Sequence, residues 1–280
     1  YLEEKLRQTE IYLSELNIKD FSKELDEIWK EVLLYQFHDV LPGSSIKEVY
    51  EVTDKRYPLL NESLDNILEK ASNKNYSPVY KKGYYVRNFS LKKTHYEKVG
   101  NSYLIFSLPS YGESQDAERY KGKSIPSLDA LDTKYFRIVF AQDGSISSLK
   151  DKETGEEYFS SEANHFRVFY EPGDPKYANW NVLENYRNQP EKYMRLEKRN
   201  IKRYGPLYEF NDTYVFQQSH LYQTILIDEN SRIIRIHHKV DWKDDNYLLK
   251  AVFPMKDMPE EVFSDTQFGY QSHSTKNDSF

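Results

Sequence analysis

A histidine and an aspartate stand side by side at positions 38 and 39, at the end of an apolar run and just before Pro42-Gly43. An imidazole can bind a metal through one nitrogen while a neighbouring acceptor holds its other N–H. The adjoining carboxylate can face the metal or accept hydrogen bonds from substrate hydroxyls. The ordinary alternative is structural: Asp39 turns the chain and His38 sits near the negative end of a helix dipole. A bare doublet favours that alternative. The other histidines carry less. His237 and His238 are consecutive in an alternating run, so as strand residues they point to opposite faces and cannot ligate one metal from the same side. His95, His165, His220 and His273 have no His, Asp or Glu at metal-binding spacing above background, and Asp244-Asp245 reads as a hairpin turn.

The elements that carry the doublet read as a three-helix bundle over residues 1–76. The first helix runs from about Tyr1 to Leu16 on the pattern Leu2, Leu6, Ile11, Leu13. Asp20 is placed to N-cap a second helix with the apolar set Leu25, Ile28, Trp29, Val32, Leu33 and Gln36-Phe37. Pro42-Gly43 breaks it, because proline cannot continue a helix and glycine tolerates the turn. Ser44 or Ser45 can cap the third helix, with Glu48 completing a capping box from Ser45. Its stripe is Ile46, Val49, Tyr50, Tyr57, Leu60, Leu64, Ile67 and Leu68, and the internal Pro58 predicts a kink or brief interruption. Short connections between amphipathic helices imply antiparallel neighbours.

After Asn73 the pattern becomes β. Pro78, Gly83, Tyr84-Tyr85-Val86 and Tyr103-Leu104-Ile105-Phe106 predict a small β domain over residues 77–126, followed by residues 127–280 as a β-sandwich domain. In the latter, strands are expected at Phe136–Phe140, Ile146–Leu149, Phe166–Tyr170, Tyr214–Phe216, Leu221–Ile227, Ile233–Val240 and Tyr247–Phe253. Asp143-Gly144 between the first two is a tight-hairpin signal. No long helix intervenes, so the sheets should be antiparallel. The expected fold class is α+β multidomain, a three-helix bundle followed by antiparallel β-sandwich domains.

Composition bounds the partners. The formal net charge of −6 comes from 39 basic and 45 acidic residues interspersed along the chain, which argues for solubility and against a nucleic-acid or membrane partner. The one basic cluster, Arg195 to Arg203, lacks aromatic interleaving and reads as a solvated strand or loop. No apolar run approaches the roughly 20 residues that span a bilayer. There is no cysteine, which excludes disulfides and cysteine metal sites and favours a reducing, cytoplasmic setting. Sequons at Asn61, Asn88, Asn211 and Asn277 read as chance matches. The chain opens inside a helical pattern and stops at Phe280 in a strand-like region, which reads as two cuts through a larger protein.

Around the doublet stand Trp29, Leu33-Leu34, Gln36-Phe37-His38-Asp39, Leu41-Pro42-Gly43-Ser44 and Val49-Tyr50. This string resembles the segment of the class II α-mannosidases, glycoside hydrolase family 38, in which a helix leads into His-Asp, a Pro-Gly turn and a Val-Tyr pair. Further blocks keep the family's order. Leu131-Asp132-Thr133, Phe136-Arg137-Ile138, Asp143-Gly144, Ile146-Ser147-Ser148-Leu149 and Asp151-Lys152 are similar to the opening of its main β-domain. A proline- and tryptophan-bearing loop from Glu171 to Trp180 follows, then Tyr204-Gly205-Pro206-Leu207. Val240-Asp241-Trp242, Leu248 to Pro254 and Gln267-Phe268-Gly269 complete the series. After the last block the family's arginine and proline are replaced by Tyr270-Gln271-Ser272-His273-Ser274-Thr275.

The resemblance implies that His38 is a zinc ligand and that Asp39 contacts mannose hydroxyls. It implies retaining hydrolysis of a mannose-containing oligosaccharide, with the other zinc ligands and the nucleophilic aspartate in an N-terminal domain outside these residues. No catalytic residue is therefore assigned here, and these residues alone are expected to be inactive. Lys250 and Trp242 are read as fold residues. Two other classes compete. A His-Asp phosphohydrolase needs further histidines in neighbouring helices, and residues 1–75 carry His38 alone. A non-catalytic carbohydrate-binding or structural sandwich accounts for the β half but leaves the His38 segment unexplained.

Overall fold

A computed structural model of the chain describes residues 1–74, 86–87, 94–108, 113–114, 116–174, 176 and 181–275. The expected signals at Pro78, Gly83, Tyr84-Tyr85, Asn88, Trp180 and Asn277 lie outside the described residues. The chain divides into two units. One comprises Tyr1–Lys98, Leu104–Arg119 and Gly173–Val182, the other Val99–Tyr103, Tyr120–Pro172 and Leu183–Phe280.

The first unit holds three helices, α1 (Leu2–Glu15), α2 (Ser22–Tyr35) and α3 (Lys47–Lys74). Steps of three and four residues give each helix one apolar stripe. Leu2, Leu6 and Leu13 meet Leu25, Ile28, Val32 and Tyr35, and both rows meet Leu60, Leu64, Ile67 and Ala71. Arg56 of α3 forks the Glu31 carboxylate of α2 (Nε–Oε1 2.5 Å, Nη2–Oε2 2.7 Å), and the Tyr35 hydroxyl donates to the same carboxylate at 2.6 Å. The Arg56 guanidinium holds the Glu31 carboxyl below its ordinary range although partial burial opposes this.

The helices correct several expectations. α2 starts at Ser22 with Phe21 in the N-cap position, one residue past the expected Asp20. It stops at Tyr35, leaving Gln36-Phe37 beyond the helix. Leu33 and Ile46 are 57% and 67% exposed rather than in the core, because the Leu25–Tyr35 and Leu60–Ala71 rows already fill the faces the helices share. α3 starts at Lys47, and the Ser45 amide donates to the Tyr50 hydroxyl (2.8 Å). Pro58 lies inside one continuous helix. It removes a single backbone donor, and both Pro58 and Asp54, whose carbonyl loses its partner, are exposed to water.

The strands pair antiparallel. In the first part of the β region Val86–Arg87 pairs with Glu113–Ser114, and Thr94–Val99, Ser102–Ser107 and Ala117–Lys121 form a three-stranded sheet. The second unit is built on a five-stranded sheet in the order Ile234–Asp241, Ser219–Asp228, Leu207–Phe216, Arg195–Tyr204, Lys123–Ile125. Its inner face packs against two smaller sheets. Phe136, Ile138, Phe140 and Ile146 meet Ile201, Phe210 and Ile225 on one side, while Phe166 and Val168 meet Tyr214, Phe216 and Leu221 on the other. This is the expected antiparallel sandwich.

Two sequence readings change in this unit. Arg199, from the basic cluster, turns inward and forks the fully buried Asp212 carboxylate at 2.8 Å. Directly opposed residues carry the contact on: Gln223 donates to Asp212 at 3.2 Å and lies 2.9 Å from His238, so one polar row crosses four strands. Asp244-Asp245 is not a hairpin turn, since the strands it joins belong to different sheets. Buried Asp244 instead accepts from the Ser219 amide and hydroxyl (3.1 and 2.6 Å).

Candidate functional site

His38 and Asp39 lie on the connection between α2 and α3, in a run of turns rather than on the last helical residues. The amides of Val40 and Leu41 donate to the Phe37 carbonyl (2.8 and 3.2 Å), and that of Gly43 to Val40 (3.3 Å). Gly43 adopts φ +82°, a conformation that glycine takes without steric cost, and this closes the reversal after Pro42. Val40 packs on the bundle core, while the Gln36 amide reaches back to Glu3 of α1 at 2.8 Å.

This backbone turns the doublet outward. The His38 side chain is 76% exposed and that of Asp39 32%, with Nε2 3.5 Å from Oδ2. That separation exceeds a good hydrogen bond, so Asp39 does not lock the imidazole. The Phe37 ring lies against it, centroids 4.1 Å apart. The donors suit zinc in type, an accessible ring nitrogen beside a carboxylate, but a structural or catalytic zinc needs three or four protein ligands. Among the described residues no group of three or more His, Asp or Glu could hold a metal. The pair therefore fits as part of a ligand set and not as a whole one.

Sequence reasoning missed two features of this region. Tyr50, read as part of an apolar stripe, puts its hydroxyl under the turn, where it donates to the carbonyls of Asp39 (3.1 Å) and Val40 (3.4 Å). The Val-Tyr pair of the motif was the available signal. Around the same turn Leu34, Phe37, Leu41 and Val52 join Leu33 and Ile46 in being more than half exposed. Grouped apolar exposure of this kind marks an interaction surface. Its signal was an apolar run too broad for one helix stripe.

The remaining residues singled out from the sequence are structural in setting. His238 faces Gln223 and His237 the opposite side of its strand. The His165 ring accepts from Arg167 Nε at 2.9 Å, and burial lowers its pKa. Trp242 stacks on Phe216, and Lys250 donates to the Tyr186 hydroxyl.

A helical bundle that carries an outward His-Asp turn, followed by an antiparallel sandwich, defines a multidomain α+β protein. Comparison with known proteins gives the family. Residues 131–279 match the Glycosyl hydrolases family 38 C-terminal domain and residues 1–74 the Alpha mannosidase middle domain. The chain belongs to glycosyl hydrolase family 38. It is similar to an alpha-mannosidase of Saccharomyces cerevisiae, 26% identical over 91% of this chain and 24% of that protein. It is also similar to Alpha-mannosidase G of Dictyostelium discoideum, 41% identical over 24% of this chain and 6% of that protein. The chain thus spans about a quarter of the yeast relative's length. No helix among the described residues is long and apolar enough to cross a membrane.

Proposed function

We propose that this chain forms the middle and C-terminal parts of a zinc-dependent retaining α-mannosidase acting on mannose-containing oligosaccharides. The observation that carries the reading is the His38-Asp39 turn, presented outward from the middle-domain bundle of a family 38 chain. His38 offers a ring nitrogen to the metal. Asp39 accepts hydrogen bonds from sugar hydroxyls, for which an ionised carboxylate is a strong acceptor. Zinc, when bound, supplies a Lewis-acid contact that orients sugar oxygens.

Retention needs a nucleophile and an acid–base carboxyl about 5 Å apart. The reading assigns both, with the other zinc ligands, to a further domain of the enzyme, and the exposed Phe37 ring beside His38 and the exposed Leu41 after it suit contact with that domain. A cytoplasmic location suits a chain without cysteine.

The test is His38→Ala in the intact parent enzyme. Loss of bound zinc and of at least about 100-fold in turnover of an aryl α-mannoside is expected, because one ligand of a small set is gone. Stoichiometric zinc with unchanged turnover would refute the assignment.

A further inference from the structure

Gln36 ties the start of the α2–α3 connection to Glu3 and Val40 packs on the bundle core, and the rest of the connection holds its shape by two kinds of hydrogen bond. Those linking Phe37 to Val40 and Leu41, and Val40 to Gly43, span three or four residues and set local bends. They do not fix where the reversal lies relative to the helices. Leu41, Pro42 and Gly43 are all exposed, so packing does not fix it there either.

Tyr50, near the start of α3, makes the longer-range contact. Its hydroxyl accepts the Ser45 N–H at 2.8 Å on the returning arm of the turn. The same hydroxyl donates to the outgoing arm, its one hydrogen shared between the carbonyls of Asp39 at 3.1 Å and Val40 at 3.4 Å. One side chain therefore ties both arms to the rigid helix. The Ser44 hydroxyl also reaches the Asp39 carbonyl, but at 3.5 Å, the limit of a hydrogen bond.

We propose that Tyr50 is a positioning residue, whose hydroxyl anchors the Asp39 carbonyl and so sets the direction in which His38 and Asp39 are presented to metal and sugar. This rests on the reading of His38 as a zinc ligand. The carbonyl that Tyr50 holds belongs to Asp39 itself and is one peptide from His38, so a shift of this backbone moves both side chains. Ligand geometry tolerates little displacement, and a misplacement of about 1 Å in a site can cost about 100-fold. Groups acting behind a metal ligand typically tune affinity by about 10- to 100-fold.

The test is Tyr50→Phe in the intact parent enzyme, with His38→Ala beside it. Phenylalanine keeps the ring and removes only the hydroxyl. Amide exchange over residues 40–45 should rise about tenfold, the equivalent of one net hydrogen bond, with exchange in the second half of α3 unchanged. Zinc affinity should fall about tenfold, and at saturating zinc kcat should fall more than KM changes. Unchanged exchange overturns the proposal. So does faster exchange with wild-type zinc affinity and kcat while His38→Ala strips the metal, and in that case the zinc reading stands. If His38→Ala keeps its zinc, the zinc reading fails and the role of Tyr50 falls with it.

Discussion

Asp39 and His38 are neighbours with separable tasks on this reading, and the substitution Asp39→Asn separates them. Asparagine keeps the shape but replaces an acceptor-only carboxylate with an amide. Zinc should stay bound, while turnover of an aryl α-mannoside in the intact enzyme falls about 10- to 100-fold, the range expected for a lost charge-assisted hydrogen bond. Unchanged kinetics would reduce Asp39 to a turn residue. The pair was legible in the sequence as a doublet before Pro-Gly. Its place past the helix, in a run of turns, was not, because the end of α2 at Tyr35 depends on which turns the other helices cover. Tyr50 was legible only as an aromatic residue in a motif, since its partners are backbone atoms of another segment.

Elements in the β unit are tied by charge as well as by apolar packing. Arg199 joins its own sheet to the Asp143-Gly144 turn, donating to the Gly144 carbonyl at 2.9 Å while forking Asp212. Arg199→Met should cost about 3 to 5 kcal/mol in urea unfolding, because it strands a carboxylate with no exposed side-chain surface. Adding Asp212→Leu should recover much of that loss. Failure of the single variant to destabilise would show that the pair is solvated. Gly144 itself, at φ +89°, would place a Cβ 2.2 Å from the Tyr214 hydroxyl, so Gly144→Ala should lower the thermal midpoint by several degrees.

Asp151 provides the acid-sensitive tie in the same unit. Its carboxylate takes a hydrogen bond from Arg232 (2.7 Å) and from the amides of Glu153 and Thr154 (2.7 and 3.2 Å). These hold its pKa down to about 2, the Arg232 bond contributing most. The folded value lies below the unfolded value of about 3.9. The stabilisation is therefore complete above about pH 4 and is lost as pH falls toward about 2. Urea midpoints of wild type and Asp151→Asn should differ at pH 7 and converge near pH 2. A constant difference across that range would rule out the carboxylate as the cause.

At the scale of the whole chain the expectation is a folded protein without turnover. Each unit has its own buried apolar core residues, whereas among the described residues the His38 turn brings together one imidazole and one carboxylate and no group of three metal-ligating side chains. Most of the free energy of zinc binding comes from several ligands held at once. The 280-residue chain should therefore retain no stoichiometric zinc after desalting and show no α-mannoside hydrolysis. Hydrolysis by this chain alone, abolished by His38→Ala, would refute the division of tasks proposed here.

The amino-acid sequence by itself determined the order of the three helices and of part of the strands, the antiparallel class of the sheets and, by resemblance, the family to which the His-Asp string belongs; strands such as Ala117–Lys121 and Gly269–Ser274 carried no such signal. The elements and the sheet class follow from local spacing: steps of three and four residues in the helices, alternation in the strands, and Pro-Gly or Asp-Gly at turns. Only the tertiary structure decided which apolar residues are core, so that Leu33 and Ile46 face solvent while Leu60 and Leu64 are buried. It alone turned Arg199 inward onto Asp212 and set the Tyr50 hydroxyl against the Asp39 carbonyl. Burial and partner choice depend on what lies across a gap in space, and residues 25 positions apart (Glu31 and Arg56) or 55 apart (Gly144 and Arg199) leave no periodic signal of their meeting.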